Sequence, residues 1–404
     1  MARMPYHEGV AADYLIAGGG IGGTVLAELL GRGGKRVVVL ERGVASPGFL
    51  RPEVLWPATM EALWSLVPRG TWEREASVPL HEVRIHRGGG RSTPLITPDV
   101  VREAGVQPWF TNPNRTRELL LSLGSFELRR GVEVTGVLRE RERVVGVRAR
   151  ELAGGGELEL PATWVVADDG VQSVIRKATG IEMPTRMFPV DFLCFTCAPP
   201  AADFPLGTAH VLVNPDGGRS GIFGLLIGAL PGGSGTGLVL ARSRIFDDLA
   251  AAREAWDALR RSQPAIDRAL GPRRFPEDFT RVRRPWGHAA RYGADGVILM
   301  GDAAHSVSPA GGQGANMSVA DALVLAELSL RGGPNLVAEY ERIRRPANQR
   351  SFGPTRTVSR LLGLPDRLAP FGLLVNLVGC VGRQRWLLRR ALRSTSELFA
   401  AARS

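Results

Sequence analysis

The chain has 404 residues, of which 44% are hydrophobic and 23% charged, and its formal net charge is +11. This length and composition predict two domains or one large interleaved pair, and they exclude a disordered or low-complexity chain. No apolar run reaches 18 residues. The sequence therefore excludes a membrane-spanning helix and predicts a soluble or peripheral protein.

The charge and the cysteines narrow the functional classes further. All but two of the 51 basic residues, Lys35 and Lys177, are arginine, and they are scattered along the chain. This distribution argues against nucleic-acid binding and is compatible with phosphates or anionic substrates. Cys194, Cys197 and Cys380 are few and odd in number, and the first residues lack a signal-peptide core, so we expect a cytoplasmic location. No cluster of potential ligands predicts a metal site.

The first elements follow a nucleotide-binding pattern. Residues 13–17 predict a short buried strand, and residues 24–30 predict a helix. The glycines of the turn between them are Gly18, Gly20, Gly22 and Gly23. Glu41 ends the next predicted strand, at the place where dinucleotide-binding units have an acid for the ribose.

The spacing G-x-G-x-x-G gives each glycine a physical task. Gly18 permits the turn, Gly20 lets the backbone approach a pyrophosphate, and Gly23 lets helix and strand pack closely. Arg42 and Arg51 follow Glu41, and we expect them to face the phosphates or the edge of the cofactor. Exposure of both arginines to solvent is the alternative.

The middle of the chain predicts mostly sheet. Strands are predicted at 81–86, then at 132–134, 144–149 and 157–160 as a small antiparallel meander, and at 164–167. A helix is predicted at 114–123, and residues 244–270 predict helix with a break at Pro264. Residues 188–240 are rich in predicted strand. At residues 221–230 both the odd and the even positions are apolar, which indicates a strand that is buried on both faces.

A second strand-loop-helix unit lies near residue 300. An apolar run at 296–300 predicts a buried strand that ends at Gly301 and Asp302. A glycine-rich loop then leads to a helix, and free N–H groups between Gly312 and Asn316 can stabilise an anion by about 0.3–1 kcal/mol at an exposed site. A flavin fits both features, because its ribityl hydroxyls can donate to Asp302 and its reduced, anionic pyrimidine edge suits the N–H groups. An ordinary structural corner is the alternative.

These motifs and Asp169-Gly170, which follows the predicted strand at 164–167, resemble the single-component FAD-dependent aromatic monooxygenases, the family of para-hydroxybenzoate hydroxylase. The resemblance covers roughly residues 12–350. It implies an α/β fold in which a Rossmann-like FAD-binding domain carries an inserted, mainly antiparallel substrate sheet and is followed by C-terminal helices.

The resemblance also implies roles for individual residues. Gly301 and Asp302 would bind the ribityl chain, and Asp169 and Gly170 would serve the FAD pyrophosphate and the nicotinamide cofactor. Arg51 and Arg115 would lie near the flavin. The segment beside the isoalloxazine would contain Pro309, Gly312, Gln313, Gly314, Ala315 and Asn316. Asp168 stands where the family has a small residue, and no catalytic acid or base is implied.

The implied activity is hydroxylation or epoxidation of an aromatic or quinone- or quinolone-like molecule of secondary metabolism. NAD(P)H, bound transiently, would reduce FAD, and O2 would react through a flavin hydroperoxide. Two alternatives stay open: a reductase or dehydrogenase of the same fold, and a non-catalytic flavin-binding protein. A flavin halogenase is disfavoured because the sequence has no W-x-W motif and both lysines lie in cofactor-domain positions.

Changes along the chain between mixed helix-and-strand patterns and strand-rich patterns predict interleaved domains. The FAD-binding domain would comprise residues 1–77, 111–185 and 285–360, and the substrate domain residues 78–110 and 186–284. Residues 361–404 would form a helical tail, in which arginines alternate with Trp386 and leucines after the apolar stretch 371–381. This tail predicts either a helix packed on the FAD-binding domain or a weak, salt-sensitive contact with the inner face of an anionic membrane.

Overall fold

The computed structural model describes residues 11–45, 52–88, 92–283, 285–307, 312–365 and 384–400, except the side chains of 354–355 and 397–400. Arg51, Pro309 and the apolar stretch 371–381 lie outside the described residues.

The strands are β1 (Ala12–Ala17), β2 (Val37–Glu41), β3 (Glu53–Leu55), β4 (Ser77–Pro79), β5 (Glu82–His86), β6 (Ser92–Ile96), β7 (Trp109–Thr111), β8 (Glu127–Arg130), β9 (Val132–Glu140), β10 (Arg143–Glu151), β11 (Glu157–Ala167), β12 (Thr185–Met187), β13 (Val190–Cys197), β14 (Thr208–Val213), β15 (Ile222–Ala229), β16 (Gly235–Arg242), β17 (Thr280–Val282), β18 (Pro285–His288), β19 (Gly293–Ala294), β20 (Val297–Leu299) and β21 (His305–Ser306).

The helices are α1 (Ile21–Arg32), α2 (Pro57–Trp64), α3 (Arg69–Glu75), α4 (Pro98–Ala104), α5 (Pro113–Leu121), α6 (Val174–Ala178), α7 (Leu249–Ser262), α8 (Ala265–Leu270), α9 (Gly314–Arg331), α10 (Leu336–Leu362) and α11 (Arg385–Ala400), with short 3-10 turns at Pro231–Gly233, Ser243–Asp247 and Gly301–Ala303.

A parallel sheet in the order β20-β11-β1-β2-β8 forms the centre of the fold. β1, β2 and β20 are almost continuously apolar, as expected for parallel strands that are covered on their faces, and residues of α1 and α9 pack in the same core. All five strands run in one direction, so their carboxyl ends meet at one edge. From β1 the chain adds β2 and β8 on one side, whereas β11 and β20 lie on the other side of β1. Ligands of open α/β sheets bind beside such a change of direction.

The predicted antiparallel meander is present as β9, β10 and β11. The prediction of two separate strands at 157–160 and 164–167 is wrong, because β11 continues through both. Pro161 lies inside β11 and pairs with Gly146 of β10, next to a register shift between Val144 and Gly146 in the pairing of β10 with β9. Gly146 has φ +159°, and a Cβ there would lie 2.3 Å from the Leu160 carbonyl oxygen, so the close approach of the two strands requires glycine.

A separate seven-stranded sheet has the order β17-β13-β16-β15-β14-β5-β6. One face packs on α7 and α8 through Leu193, Phe195 and Trp256. The opposite face packs partly on α10, through Phe223 and Leu362. The prediction that β15 is buried on two faces is confirmed, because its residues contribute to both clusters.

Two small sheets join the large ones. The β3-β7-β4 sheet packs on the seven-stranded sheet, and Phe110 of β7 fills the space above Gly228, where a Cβ would lie 2.6 Å from its ring. The β12-β18-β21 sheet lies beside α10. The α/β fold predicted from the sequence is confirmed.

The last described helix, α11, packs on α4. Leu388 and Leu392 are buried against Val100 and Ala104, and the Arg393 guanidinium donates to the carbonyl oxygens of Glu103 and Ala104, both at 2.9 Å. Among the helices that the structure describes, none is both long and apolar enough to cross a bilayer.

Candidate cofactor site

The predicted cofactor motifs follow the carboxyl ends of neighbouring parallel strands. Gly18 follows β1, Glu41 ends β2, Asp168 follows β11, and Gly301 comes shortly after β20. Because these strands are adjacent in the sheet, the turns after them lie along one crevice.

The glycine-rich turn has room for backbone only. Gly18 has φ +111°, and a Cβ there would lie 2.3 Å from the Asp168 carbonyl oxygen. A Cβ at Gly22 would lie 2.0 Å from Ser318 Oγ on α9, and one at Gly23 would lie 2.6 Å from the Gly18 carbonyl oxygen. The glycines therefore let α1 begin close to the sheet, so that its free N–H groups point into the crevice.

Glu41 is held in place by the loops around it. Its carboxylate accepts from the N–H of Gly19 at 2.8 Å and from the N–H of Gly43 at 2.6 Å. Arg117 of α5 pairs with it at 3.1 Å and donates from Nε to the Gly19 carbonyl oxygen at 2.9 Å. Arg117 is therefore a crevice arginine that the sequence analysis missed.

Two of the arginines singled out in the sequence, Arg42 and Arg115, pair with glutamates outside the glycine-rich turn. Arg115 pairs with Glu75, and its backbone N–H is capped by Asn112. The Arg42 side chain is 73% exposed and reaches Glu133 at 3.6 Å. Their roles beside the cofactor stay predictions.

Asp169 and Gly170 form the turn before α6. One carboxylate oxygen of Asp169 accepts from the N–H of Val174 at 2.8 Å, whereas the other, Oδ1, is buried without a hydrogen-bond partner in the described structure. Burial raises the pKa of this carboxyl group. Arg176 fastens the turn to the Gly301–Ala303 turn, because it donates to the carbonyl oxygens of Ala303 and Val171, both at 2.9 Å.

The turn at Gly301 rests on a buried charge network. The Gly301 N–H donates to Asp321 of α9 at 3.1 Å, and the same carboxylate accepts from His305, from Arg344 at 2.7 Å and from Asn348 at 3.0 Å. Burial alone would raise the pKa of Asp321, but His305 and Arg344 hold it well below its usual range. Asp302, next to Gly301, is half-buried. Neither Asp321 nor Arg344 was predicted from the sequence as a site residue.

Asn316 fixes the start of α9. It is fully buried, and its side chain accepts from the Trp56 N–H and donates to the carbonyl oxygens of Val54 and Gly312, all at 2.9 Å. Its side chain therefore shapes the loop, while the N–H groups of Gly314 and Ala315 in the first helical turn have no intrahelical acceptor. The side-chain oxygen of Gln313 is buried with no partner in the part of the chain that is described.

The residues present fit FAD. The glycine cradle and the start of α1 suit a diphosphate, Glu41 suits a ribose, and Asp302 lies on the adjacent turn. The unpartnered oxygens of Asp169 and Gln313 are further acceptors that a bound cofactor could satisfy.

Comparison with known proteins decides the family. Residues 11–352 match the family model described as FAD binding domain. The chain belongs to this FAD-binding family. It is 30% identical over 369 residues to 12-dehydrotetracycline 5-monooxygenase/anhydrotetracycline 6-monooxygenase from Streptomyces rimosus, covering 88% of this chain and 70% of that protein. It is 29% identical over 393 residues to rifampicin monooxygenase from Streptomyces venezuelae, covering 94% and 78%.

The fold of this FAD-binding protein also matches solved structures. The crystal structure of p-nitrophenol 4-monooxygenase from Pseudomonas putida superposes with a TM-score of 0.73 at 20% identity and covers 96% of this chain and 98% of that one. The predicted resemblance is confirmed, and the protein is an FAD-dependent oxygenase of the aromatic-hydroxylase type.

Cys194 and Cys197 are spaced as C-x-x-C, and among the described residues no group of three or more His, Cys, Asp or Glu side chains could hold a metal ion. Cys194 belongs to the cluster facing α10, and Cys197 packs on the opposite face of the seven-stranded sheet. The two side chains lie on opposite faces because residues three apart in a strand have opposite parity. Burial raises the pKa of the Cys197 thiol to about 12, which makes it a poor nucleophile at neutral pH.

Proposed function

We propose that this protein uses NAD(P)H and O2 to hydroxylate or epoxidise an apolar aromatic or quinone-like small molecule of secondary metabolism. The observation that carries the proposal is an apolar wall next to the start of α9. Val54 lies 3.7 Å from the position of a Cβ on Gly312, and it packs in the same cluster as Phe110. That cluster continues onto the seven-stranded sheet through Ala209 and Leu230.

The sheet face behind this wall has little polarity. It carries Val211, Val213, Leu238 and Leu240, and the seven strands of the sheet, all of them described, place no Asp, Glu, His or Lys side chain on it. Arg242, at one end, donates to the carbonyl oxygen of Leu362 at 2.7 Å. Shape and apolar contact would therefore position the substrate, and water, which would divert the reaction, would be excluded.

Bound FAD would supply the redox chemistry and the activation of oxygen. The protein's own contribution is orientation. Asn316 holds the loop at Gly312 against β3, and Arg176 holds the Asp169 turn against Gly301. Neither arrangement requires a catalytic acid or base, and we assign none.

A cavity of about 600 Å³ offers a place for the reductant. It is lined by Trp286, Phe352 and three arginines, Arg186, Arg356 and Arg360. These arginines have no ion-pair partner in the described part of the chain, and the Trp286 indole N–H is buried without an acceptor there. We infer that the cavity receives the phosphates of NAD(P)H, because unpaired guanidinium groups bind phosphate well.

The names of the relatives suggest the substrate class. Those proteins act on tetracycline-type compounds and on rifampicin, both of which are polycyclic. We propose a substrate of comparable chemistry, an electron-rich ring system with an extended apolar surface.

The test is a screen of the purified protein with an aromatic and polyketide library. NAD(P)H oxidation, O2 uptake and product mass are measured together. Substrate-dependent O2 uptake with a product heavier by one oxygen supports the proposal. Product formation without O2 uptake identifies the reductase or dehydrogenase alternative, and flavin binding without NAD(P)H oxidation for any compound identifies the non-catalytic one.

The membrane contact predicted for the tail stays a prediction. Leu388 and Leu392, which an interfacial helix would insert, are buried against α4. Such a contact would therefore have to use the opposite side of α11, where Trp386 is 54% exposed.

A further inference from the structure

Asp168 places a carboxyl group directly beneath the glycine-rich turn. It follows β11, and its Oδ2 accepts from the Gly23 N–H at 2.9 Å. A Cβ on Gly20 would lie 2.9 Å from that same oxygen, and a Cβ on Gly301 would lie 2.6 Å from Oδ1. The carboxyl group therefore lies between the first turn of α1 and the Gly301 turn, in a residue that is half-buried.

The Gly23 N–H belongs to the first turn of α1. The N–H groups of this turn have no acceptor inside the helix, and together they form the positive end of the helix dipole. A cofactor diphosphate would use the same end of the helix. An ionised Asp168 and a bound diphosphate would thus place two anionic groups at one helix terminus.

Within the described residues, the ionisable groups that face Asp168 do not offset its charge. They are Asp169 on its own turn, Asp302 on the Gly301 turn and Asp321 on α9, the last of which is paired with His305 and Arg344. Arg176 of α6 directs its guanidinium to backbone carbonyl oxygens. The first turn of α1 contributes no ionisable side chain. Burial raises the pKa of Asp168 well above its ordinary value; the hydrogen bond from Gly23 opposes this shift, and repulsion from Asp302 and Asp169 adds to it.

We propose that FAD binds more tightly to the form of the protein in which Asp168 is a neutral carboxylic acid, so that FAD binding takes up one proton at pH values where Asp168 of the free protein is ionised and Asp168 of the complex is not. The neutral acid still accepts the hydrogen bond from Gly23 but adds no negative charge beneath the diphosphate. Rising pH then favours release of FAD. This inference rests on FAD binding at the crevice and not on the proposed substrate or reductant.

The direction of the pH effect follows from linkage. FAD binds the protonated form more tightly, so binding raises the pKa of Asp168 further. Affinity is constant below the pKa of the free protein, falls by up to about tenfold per pH unit above it, and becomes constant again above the pKa of the complex. The ordinary Asp pKa of about 3.9 is the lower limit of this window, because the shift is upward.

The experiment compares FAD release from the full-length holoprotein and from its Asp168→Asn variant. The dissociation constant is obtained from FAD fluorescence on dilution between about pH 5.5 and pH 9, where most carboxyl groups no longer titrate. As pH rises, the FAD affinity of the wild type should fall more steeply than that of the variant. The difference should be up to about tenfold per pH unit, which corresponds to one proton. The variant should bind FAD more tightly at the alkaline end. Calorimetry in buffers of different ionisation enthalpy should show the corresponding proton uptake only in the wild type.

Two further variants keep the test decisive. Asp168→Ala removes the charge without the amide group and should behave like Asp168→Asn, so it serves if the asparagine variant does not fold. Asp99→Asn, on α4, removes a charge from a side chain that is 48% exposed and lies outside the crevice, and it should keep the wild-type slope. Equal slopes in wild type and both Asp168 variants, or weaker FAD binding by both variants at alkaline pH, overturn the proposal.

Discussion

Two carboxylates at the Gly301 turn have opposite surroundings. Asp302 is half-buried on the turn itself, whereas Asp321 is fully buried and accepts hydrogen bonds from Gly301, His305, Arg344 and Asn348. We therefore expect the first to act on the cofactor and the second on the fold.

Substitution of Asp302 tests its assignment to the ribityl chain. Asp302→Ala should weaken FAD binding by about 1–3 kcal/mol for each hydroxyl left without an acceptor. The measurement is the flavin content after purification, followed by titration of FAD fluorescence. Asp302→Asn, which keeps one acceptor oxygen, should lose less. Wild-type flavin occupancy and affinity in the alanine variant would refute the assignment.

Substitution of Asp321 should act on stability. Asp321→Asn leaves the buried Arg344 without its counter-charge, and such a loss costs about 3–5 kcal/mol. Because the pKa of Asp321 is lowered in the fold, its ionised form stabilises the protein above the unfolded pKa, and this contribution is lost as pH falls through the folded pKa. The difference in free energy of unfolding between the wild type and Asp321→Asn should therefore be largest near neutral pH and become smaller in acid.

Chemical denaturation between about pH 3 and pH 7 measures that gap across the unfolded pKa of about 3.9. Asp295→Asn removes a carboxylate whose side chain is 58% exposed, and it should show almost no effect at any pH. If the difference in unfolding free energy between the wild type and Asp321→Asn becomes larger in acid, or is absent at neutral pH, the ion pair between Asp321 and Arg344 does not stabilise the fold.

At the scale of elements, α10 and α11 close the protein in different ways. The outer half of α10 lines the 600 Å³ cavity with Arg356 and Arg360, while α11 buries two leucines on α4. The first arrangement predicts a ligand and the second a structural contact.

The arginines of α10 should act on the reductant. Arg356→Ala and Arg360→Ala should each raise the KM for NAD(P)H at least about fivefold, the loss of about 1 kcal/mol of phosphate binding. FAD content should not change. Arg350→Ala, on the same helix but not among the residues that line the cavity, is the matched control. An unchanged KM in both cavity variants, or a change only in the KM of the aromatic substrate, assigns the cavity to something other than NAD(P)H.

The leucines of α11 should contribute to stability. Leu388→Ala or Leu392→Ala creates a cavity beside α4 and should lower the free energy of unfolding by about 2–5 kcal/mol, provided that the tail unfolds with the core. Trp386→Ala, at a largely exposed position, should cost much less. If Leu388→Ala, Leu392→Ala and Trp386→Ala all had the same free energy of unfolding, α11 would not be packed on α4 in solution.

At the scale of the whole molecule, the crevice was predictable because its motifs are local. A strand, a glycine turn and a helix occupy a continuous stretch of sequence, and the parallel sheet then brings the separate stretches to one edge. The sequence also predicted the antiparallel meander and the two-faced burial of β15, since both depend on the apolar pattern of one segment.

Residues defined by tertiary contacts were missed. Arg115 and Arg117 are two positions apart on α5, and a helix turns by about 100° per residue, so they point to Glu75 and Glu41 respectively. Nothing local distinguishes the two arginines. In the sequence, Asp321 is an acidic residue within a mostly apolar helical segment. Only its contacts with the Gly301 turn and with α10 reveal its role.

The predicted division into interleaved domains stays a proposal. We propose that residues 78–110 fold with 186–284, because β5 and β6 pair into the same sheet as β13–β16. The small β3-β7-β4 sheet, which joins Glu53–Leu55 to Trp109–Thr111, would form the junction between the two domains beside the start of α9.

Oxygen insertion is the central claim, and isotope labelling tests it most directly. The reaction is run under ¹⁸O2 in ordinary water with NAD(P)H and the best substrate of the library, and the product is analysed by mass spectrometry. The account predicts a product that carries one ¹⁸O atom in nearly every molecule. A product with oxygen only from water, or an oxidised product with no added oxygen, would contradict it.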